Sequence, residues 1–263
     1  MITHFAELQL QTVSISGVKQ FYSELLGISV LFEKENEISF RPTEQFSLTF
    51  KEAAEPLAPA HFAFEVPWSE FELVVSRLAG NGITLLKWPD GSTVEESETT
   101  RNVYFRDGDG NLLEVIAHSY IKEGVLPPEG EMKILYLREI GFPADDAVDF
   151  REFVADLLGL RIDKAADNFA FAIGGTAHMV IPSKQRKWIP IAMVALPPVM
   201  SVTFGVSSLD YINEVKVKLT ERGMKSRMED GRLSFQYKEY PVSLVVTDFP
   251  EALLERLGLP FAK

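Results

Sequence analysis

The chain contains no cysteine. Disulfides, thiolate metal ligands and a cysteine nucleophile are therefore excluded, and the composition suits a reducing compartment. Basic residues are also scarce, 26 Lys and Arg against 38 Asp and Glu, for a formal net charge of −12. Such a surface repels phosphate backbones and no Lys/Arg run interrupts it, so nucleic acid is not expected as a partner. No apolar run reaches the ~20 residues of a membrane span. Met1-Ile2-Thr3-His4 has neither the basic start nor the apolar core of a signal peptide. These absences predict a soluble, cytoplasmic protein with no membrane partner. What is present, in 263 residues of which 46% are hydrophobic, is apolar material for two ordinary cores.

Two stretches align without a gap: Glu7 to Gly27, ELQLQTVSISGVKQFYSELLG, and Glu139 to Gly159, EIGFPADDAVDFREFVADLLG. They share the leading Glu, Phe21 with Phe153, and the Leu-Leu-Gly ending, so the chain reads as a tandem duplication. Two domains are expected, 1–122 and 131–263, with the Pro/Gly-rich linker 123–130 between them. Ala6 to Gln11 alternates with period two, a strand whose open face carries Glu7, Gln9 and Gln11. Val18, Phe21, Tyr22, Leu25 and Leu26 then make an amphipathic helix stopped by Gly27, and Phe150 to Leu158 repeats it up to Gly159. Strands are expected at 28–32, 38–40 and 46–50, and in the second copy at 161–163, 169–173 and 178–181. The β-α-β-β-β pattern recurs within each half, as His61–Val66, Glu70–Ala79, Ile83–Leu86, Asn102–Phe105 and Leu112–Ala117 show. Four such units, an α+β fold with curved mixed sheets, fill the chain.

The copies differ in chemistry. AHFAFEV, with His61, matches SVTFGV, where Ser201 stands in its place; NLLEVIA, with Glu114, matches PVSLVVT, where Leu244 does. On the strand from His61, that residue, Ala63 and Glu65 share the face away from the Phe residues. Glu114 shares its face with Leu112, Ile116 and His118, and a carboxylate among apolar neighbours needs a cation or strong donors. An Arg such as Arg101 or Arg106 is one such cation, and a metal is another. Glu7, His61 and Glu114 make a ligand set for one divalent ion of Mn, Fe, Ni or Zn type in the first half, with Glu139 as the alternative first ligand. Glu7 is preferred over Glu139 because Gln9 and Gln11 continue a polar face, whereas Gly141 and Pro143 offer no lining. Glu7 or Glu65 would be free to move a proton. Asp107-Gly108-Asp109-Gly110-Asn111 fails as a calcium loop, since its sixth and twelfth positions are Leu112 and His118, and reads as a hairpin turn. His4 points away from Glu7, and His178 reads as structural.

With those residues in view, the chain resembles the glyoxalase/bleomycin-resistance/extradiol-dioxygenase superfamily, the vicinal oxygen chelate fold, in a two-domain tandem form. The resemblance rests on Phe21-Tyr22-Ser23-Glu24-Leu25-Leu26-Gly27, on His61-Phe62-Ala63-Phe64, and on Tyr104-Phe105-Arg106-Asp107-Gly108-Asp109-Gly110-Asn111-Leu112-Leu113-Glu114. It implies a metal-dependent enzyme that chelates two oxygens of a small substrate, of isomerase, lyase, thiol-transfer or dioxygenase type. Gln9, Tyr104 and His118 are then expected around the ligands. Glu95, Glu96 and Ser97 stand where ring-cleaving members place a catalytic His, and Gly108 stands where their motif has Pro, both of which argue against extradiol cleavage. Arg101, Arg106 and Lys87 are the cations available to an anionic substrate. The competing expectation is a metal-free binding protein of the bleomycin-resistance kind, walled by Trp68, Trp88 and Trp188. Either is expected as a monomer or homodimer.

Overall fold

The computed structural model describes every residue except Pro56, Leu57, Ile189, Ala192 and 260–263. The first unit comprises β1 (Ile2–Thr12), α1 (Ile15–Lys19), which runs on into a wider helical segment over Gln20–Leu25, β2 (Ser29–Lys34), β3 (Glu37–Thr43) and β4 (Phe46–Glu52). The second contains β5 (His61–Glu65), α2 (Phe71–Gly80), β6 (Val94–Glu96), β7 (Thr100–Arg106) and β8 (Leu112–His118). The third contains β9 (Tyr136–Gly141), α3 (Ala147–Leu158), β10 (Arg161–Ala166), β11 (Phe169–Gly174) and β12 (Ala177–Pro182). A short ribbon, β13 (Lys187–Trp188) with β14 (Met193–Val194), leads to the fourth unit: β15 (Met200–Val206), α4 (Leu209–Glu221), β16 (Ser226–Glu229), β17 (Arg232–Tyr237), β18 (Tyr240–Val246) and α5 (Glu251–Arg256).

The expected β-α-β-β-β unit thus occurs four times. Gly27 and Gly159 end their helices at φ 68° and 64°, a conformation that costs glycine little. One expected strand is displaced. Ile83–Leu86 forms only a single bridge, Leu85 to Phe105, and the outer strand of the second unit is Val94–Glu96, beyond the Pro89-Asp90-Gly91 turn.

Hydrogen bonding does not follow the expected division at 123–130. One eight-stranded sheet runs β16-β17-β18-β15-β1-β4-β3-β2 and joins the fourth unit to the first; the other runs β10-β11-β12-β9-β5-β8-β7-β6 and joins the third to the second. The joints are the antiparallel pairs β1·β15 and β5·β9. Alternation sends Phe62 and Phe64, 0% and 1% exposed, into a core that draws on all four units. Helices and apolar sheet faces share that core, which leaves the concave faces for polar residues.

Each half of the chain therefore lacks the strands that pair with its own first strands. A fragment ending at residue 120 is expected to self-associate or aggregate through the exposed edges of β1 and β5, each strand having lost a central partner. Size-exclusion chromatography checks this, and a monomeric fragment with native circular dichroism would contradict it.

Candidate metal centre

The residues of β5 and β8 are set by the turn between β7 and β8. Asp107 accepts from the backbone N–H groups of Asp109 (3.1 Å) and Asn111 (2.9 Å) and from the Tyr22 hydroxyl (2.7 Å). Asn111 in turn accepts from the Ala60 N–H at 2.8 Å, immediately before His61. The turn is a hairpin that fixes the start of β5 against β8. In the resulting register Ala63 lies opposite Glu114 on one side and Glu139 on the other.

His61, Glu114 and Glu139 converge from these three strands, and each is buried. Nε2 of His61 lies 3.7 Å from Glu114 Oε2 and 3.9 Å from Glu139 Oε2, and the potential ligand atoms of all three fall within 4.8 Å of one another. Those distances are too long for hydrogen bonds. They suit ligands around one ion, which at about 2.1 Å from each would space them roughly 3–4 Å apart. His61 Nδ1 is 3.1 Å from the Leu112 carbonyl oxygen, which can only accept, so Nδ1 carries the proton and donates. In the neutral ring, Nε2 then points a lone pair at two carboxylates, an arrangement that needs a proton or a metal. Burial and the charge of Glu139, against the opposing pull of His61, push the Glu114 carboxyl up to about 8. Burial acts to raise Glu139 too, but His61 and the Arg138 guanidinium hold it below the ordinary carboxylate range. Burial acts to lower His61, yet the two carboxylates and the Leu112 carbonyl raise it. The three groups together can hold a divalent cation.

Glu7 is not one of them. It lies in the other sheet, where its carboxylate receives Arg232 through both terminal nitrogens at 2.8 Å and the Thr203 hydroxyl at 2.8 Å. The registers explain the exchange. Glu7 lies opposite Thr203, which lies opposite Ser243; Glu139 lies opposite Ala63, which lies opposite Glu114. Ser243, not Leu244, is therefore the counterpart of Glu114, while Leu244 points into the core at 0% exposure. Ser234 pairs with Ser243 as Tyr104 pairs with Glu114. Two residues earlier on the same strands, Arg232 matches Asn102. In the first sheet an arginine side chain thus supplies the cation its Glu requires.

The other expected residues are distributed unevenly. Gln9 lies beside Glu7, paired with Thr49 and Ser201, and not beside His61. Glu65 is fully buried and holds no free proton-transfer position: it accepts from Arg138 at 3.0 Å and lies 2.9 Å from His118 Nδ1. His118 and Tyr104 both line the cavity over the second sheet. Asn102, absent from the expected set, binds Glu114 Oε1 at 2.9 Å and the Tyr104 oxygen at 2.9 Å. Arg138, equally unexpected, joins Glu65 to Glu139, its Nε lying 3.8 Å from Glu139 Oε1. Strict alternation along β9 would put Arg138 on the face opposite Glu139; a register shift between Ala63 and Phe64 lets both reach one site. His4 is buried in the first sheet against Gly205, stacked 4.6 Å from Phe249. His178, read as structural, is buried beside Glu139 on β12 and lines the cavity.

The cavity has a volume of about 590 Å³. Of the three tryptophans only Trp188 lines it, with its ring 5.0 Å from that of His61. Trp88 packs on Tyr104 from outside, and Trp68 carries Arg101, 4.2 Å above its ring. Gly141, taken in the sequence as a gap in the lining, is the reason Trp188 fits: a Cβ there would meet Trp188 Cη2 at 2.7 Å and His61 Cβ at 3.3 Å.

Over nearly its whole length the chain superposes on solved two-domain structures. A Bacillus subtilis protein described as a "putative dioxygenase" is matched with a TM-score of 0.67 and 11% identity, over 98% of this chain and 90% of that one. The chain has the glyoxalase/dioxygenase fold in its two-domain form. Glyoxalase I from Zea mays is matched with a TM-score of 0.58 and 16% identity over 99% of this chain and 97% of that one; its V278E mutant gives 0.60 and 15%, covering 95% of each. No family model and no curated protein matches the sequence. The α+β architecture and its two-domain layout are as the sequence resemblance implied, and among the described residues no helix is long and apolar enough to cross a membrane.

Two outcomes follow from this geometry. Glu114 and His61, both raised by their surroundings, must shed their protons before the group can bind a cation, so divalent-metal affinity should rise with pH up to about pH 8 and then level. Calorimetry in buffers of different ionisation enthalpy should record proton release on binding, and an affinity flat below about pH 8 would mean that neither Glu114 nor His61 holds a proton there. Gly141→Ala should displace Trp188, seen as a red-shifted tryptophan emission, and should weaken metal binding by moving His61.

Proposed function

We propose that the protein is a metal-dependent enzyme acting on a small substrate that presents two oxygen atoms, with His61, Glu114 and Glu139 as its protein ligands. The observation that carries this reading is the buried Nε2 of His61 facing two carboxylates, all three within reach of one ion. One imidazole with two carboxylates suits Mn, Fe, Ni or Zn, and three protein ligands leave positions open for substrate. Held by His61, Glu114 and Glu139, a divalent ion would supply Lewis acidity for negative charge developing on a substrate oxygen.

The remaining chemistry belongs to side chains. Asn102 orients Glu114 and Tyr104 together, and Arg138 steadies Glu139 from behind. Glu65 fixes the His118 ring through Nδ1, which leaves Nε2 of His118 to take or return a substrate proton. That assignment moves the proton-transfer role from Glu65, whose carboxylate is engaged, to the histidine it holds. Trp188 shields the ligand group from bulk water. The likeness to a glyoxalase and to a protein described as a dioxygenase supports the class through the fold alone.

Elemental analysis of protein purified without a metal-affinity tag should find about one divalent ion per chain. His61→Ala and Glu139→Ala should each weaken binding at least 10-fold, about 1.4 kcal/mol. Ser201→Ala should have no effect. Glu7→Ala should change metal affinity less than about twofold and cost at most ~1 kcal/mol of stability, because its pair with Arg232 is partly exposed. Two equal sites per chain, or Glu7→Ala as damaging as Glu139→Ala, would refute the assignment. Protein that takes up no metal would favour the binding-protein reading, with the ligand held against the cavity's aromatic wall.

A further inference from the structure

The two walls of the cavity differ in charge. On the side of β6 and β7 stand Glu95 and Glu96, and both are engaged: Glu96 binds Arg101 at 2.7 Å and Glu95 accepts from Asn102 at 3.2 Å. On the side of β10, β11 and the β13 ribbon stand Lys164, Arg186 and Lys187, with Asp163 as the accompanying carboxylate. Three cations to one carboxylate is a local reversal in a chain of net charge −12. Among the described residues no ion pair holds any of the three cations. Two of them rest on aromatic rings instead. The Arg186 guanidinium lies 4.2 Å from the centroid of Phe169, and Lys164 Nζ lies 5.4 Å from that of Phe171.

A cation stacked on a ring keeps its charge available while its long side chain is already ordered, so capture of an anion costs less conformational entropy. The same rings, Phe169 and Phe171, meet edge to face at 5.1 Å and line the cavity, and Trp188 continues the aromatic surface to His61. A volume near 590 Å³ is that of a small-molecule site. The Arg101, Arg106 and Lys87 set expected from the sequence takes no part in this wall, since none of the three lines the cavity.

We propose that the cavity takes a planar organic anion, with its flat body stacked on one ring of the aromatic wall of Phe169, Phe171 and Trp188 and its carboxylate or phosphoryl group toward Lys164, Arg186 and Lys187. The direction of the opposite end, toward His61, rests on the metal-dependent reading above; the anion contact does not.

Three matched probes test it: 3,4-dihydroxybenzoate, 3,4-dihydroxyphenylphosphonate and the neutral 3,4-dihydroxybenzamide, titrated into metal-loaded and chelator-treated protein with tryptophan fluorescence and calorimetry as readouts. At low salt at least one anion should bind about 10-fold or more tightly than the amide, and the tighter anion identifies the group the site prefers. That advantage should shrink at about 0.5 M salt and disappear in the Lys164→Gln/Arg186→Gln/Lys187→Gln variant. Removal of the metal should weaken all three probes in proportion and leave the anion-to-amide ratio intact. If the metal reading fails, chelation changes nothing and the ratio still stands, so the two ideas fail separately. The proposal is overturned if the amide binds as tightly as both anions, if the ratio survives in the triple variant, or if none of the probes binds below ~10 mM.

Discussion

Repulsion between two buried carboxylates is the constraint around which the second sheet is organised. β5 pairs with β9, and that pairing brings Glu139 from the third unit beside Glu114 from the second. Two negative charges a few ångströms apart repel by a few kcal/mol even at an effective dielectric constant of about 20, and burial adds its own desolvation cost. The neighbours answer that load in layers. His61 turns Nε2 toward both carboxylates, Asn102 donates to Glu114, and Arg138 stands behind Glu139 while it neutralises Glu65. What remains is a place for one cation, and in its absence for one proton.

The first sheet meets a similar demand differently. Its Glu7 has a guanidinium reaching it from β17, three strands along the same sheet, and Ser201 and Ser243 occupy the positions of His61 and Glu114. A tethered arginine needs no second carboxylate and no imidazole. The loss of ligands in one copy and the survival of its Glu therefore have one cause.

Much of the local structure was legible in the sequence. Periodicity gave the four units, the glycine helix stops and the inward face of β5, because those depend on neighbours within a few residues. Two readings failed for non-local reasons. Glu7 was preferred over Glu139 from the lining each strand offered, but the choice is decided by which first strands pair across the chain, and nothing within either strand encodes that. Gly141 looked like missing lining because the indole that fills the space comes from the ribbon after the third unit. The counterpart of Glu114 was misplaced by one residue, from Ser243 to Leu244, and in a strand one residue is enough to exchange the cavity face for the core. Arg138 was hidden for a related reason, since strict alternation along β9 puts it on the wrong face and only the register shift restores it.

The crossed pairing of units also orders events in time. The second and third units are contiguous, so the sheet that carries His61, Glu114 and Glu139 can close once about the first two-thirds of the chain has left the ribosome. Ile2–Thr12 has no such option. β4 can pair with it early, but its other neighbour is Met200–Val206, so that edge stays open until a strand far along the chain has been made. Long-range closures of this kind are slow, and they leave an apolar strand exposed during synthesis. Of the two central joints, β1 with β15 therefore closes over far more chain than β5 with β9, although it belongs to the sheet without the candidate metal centre.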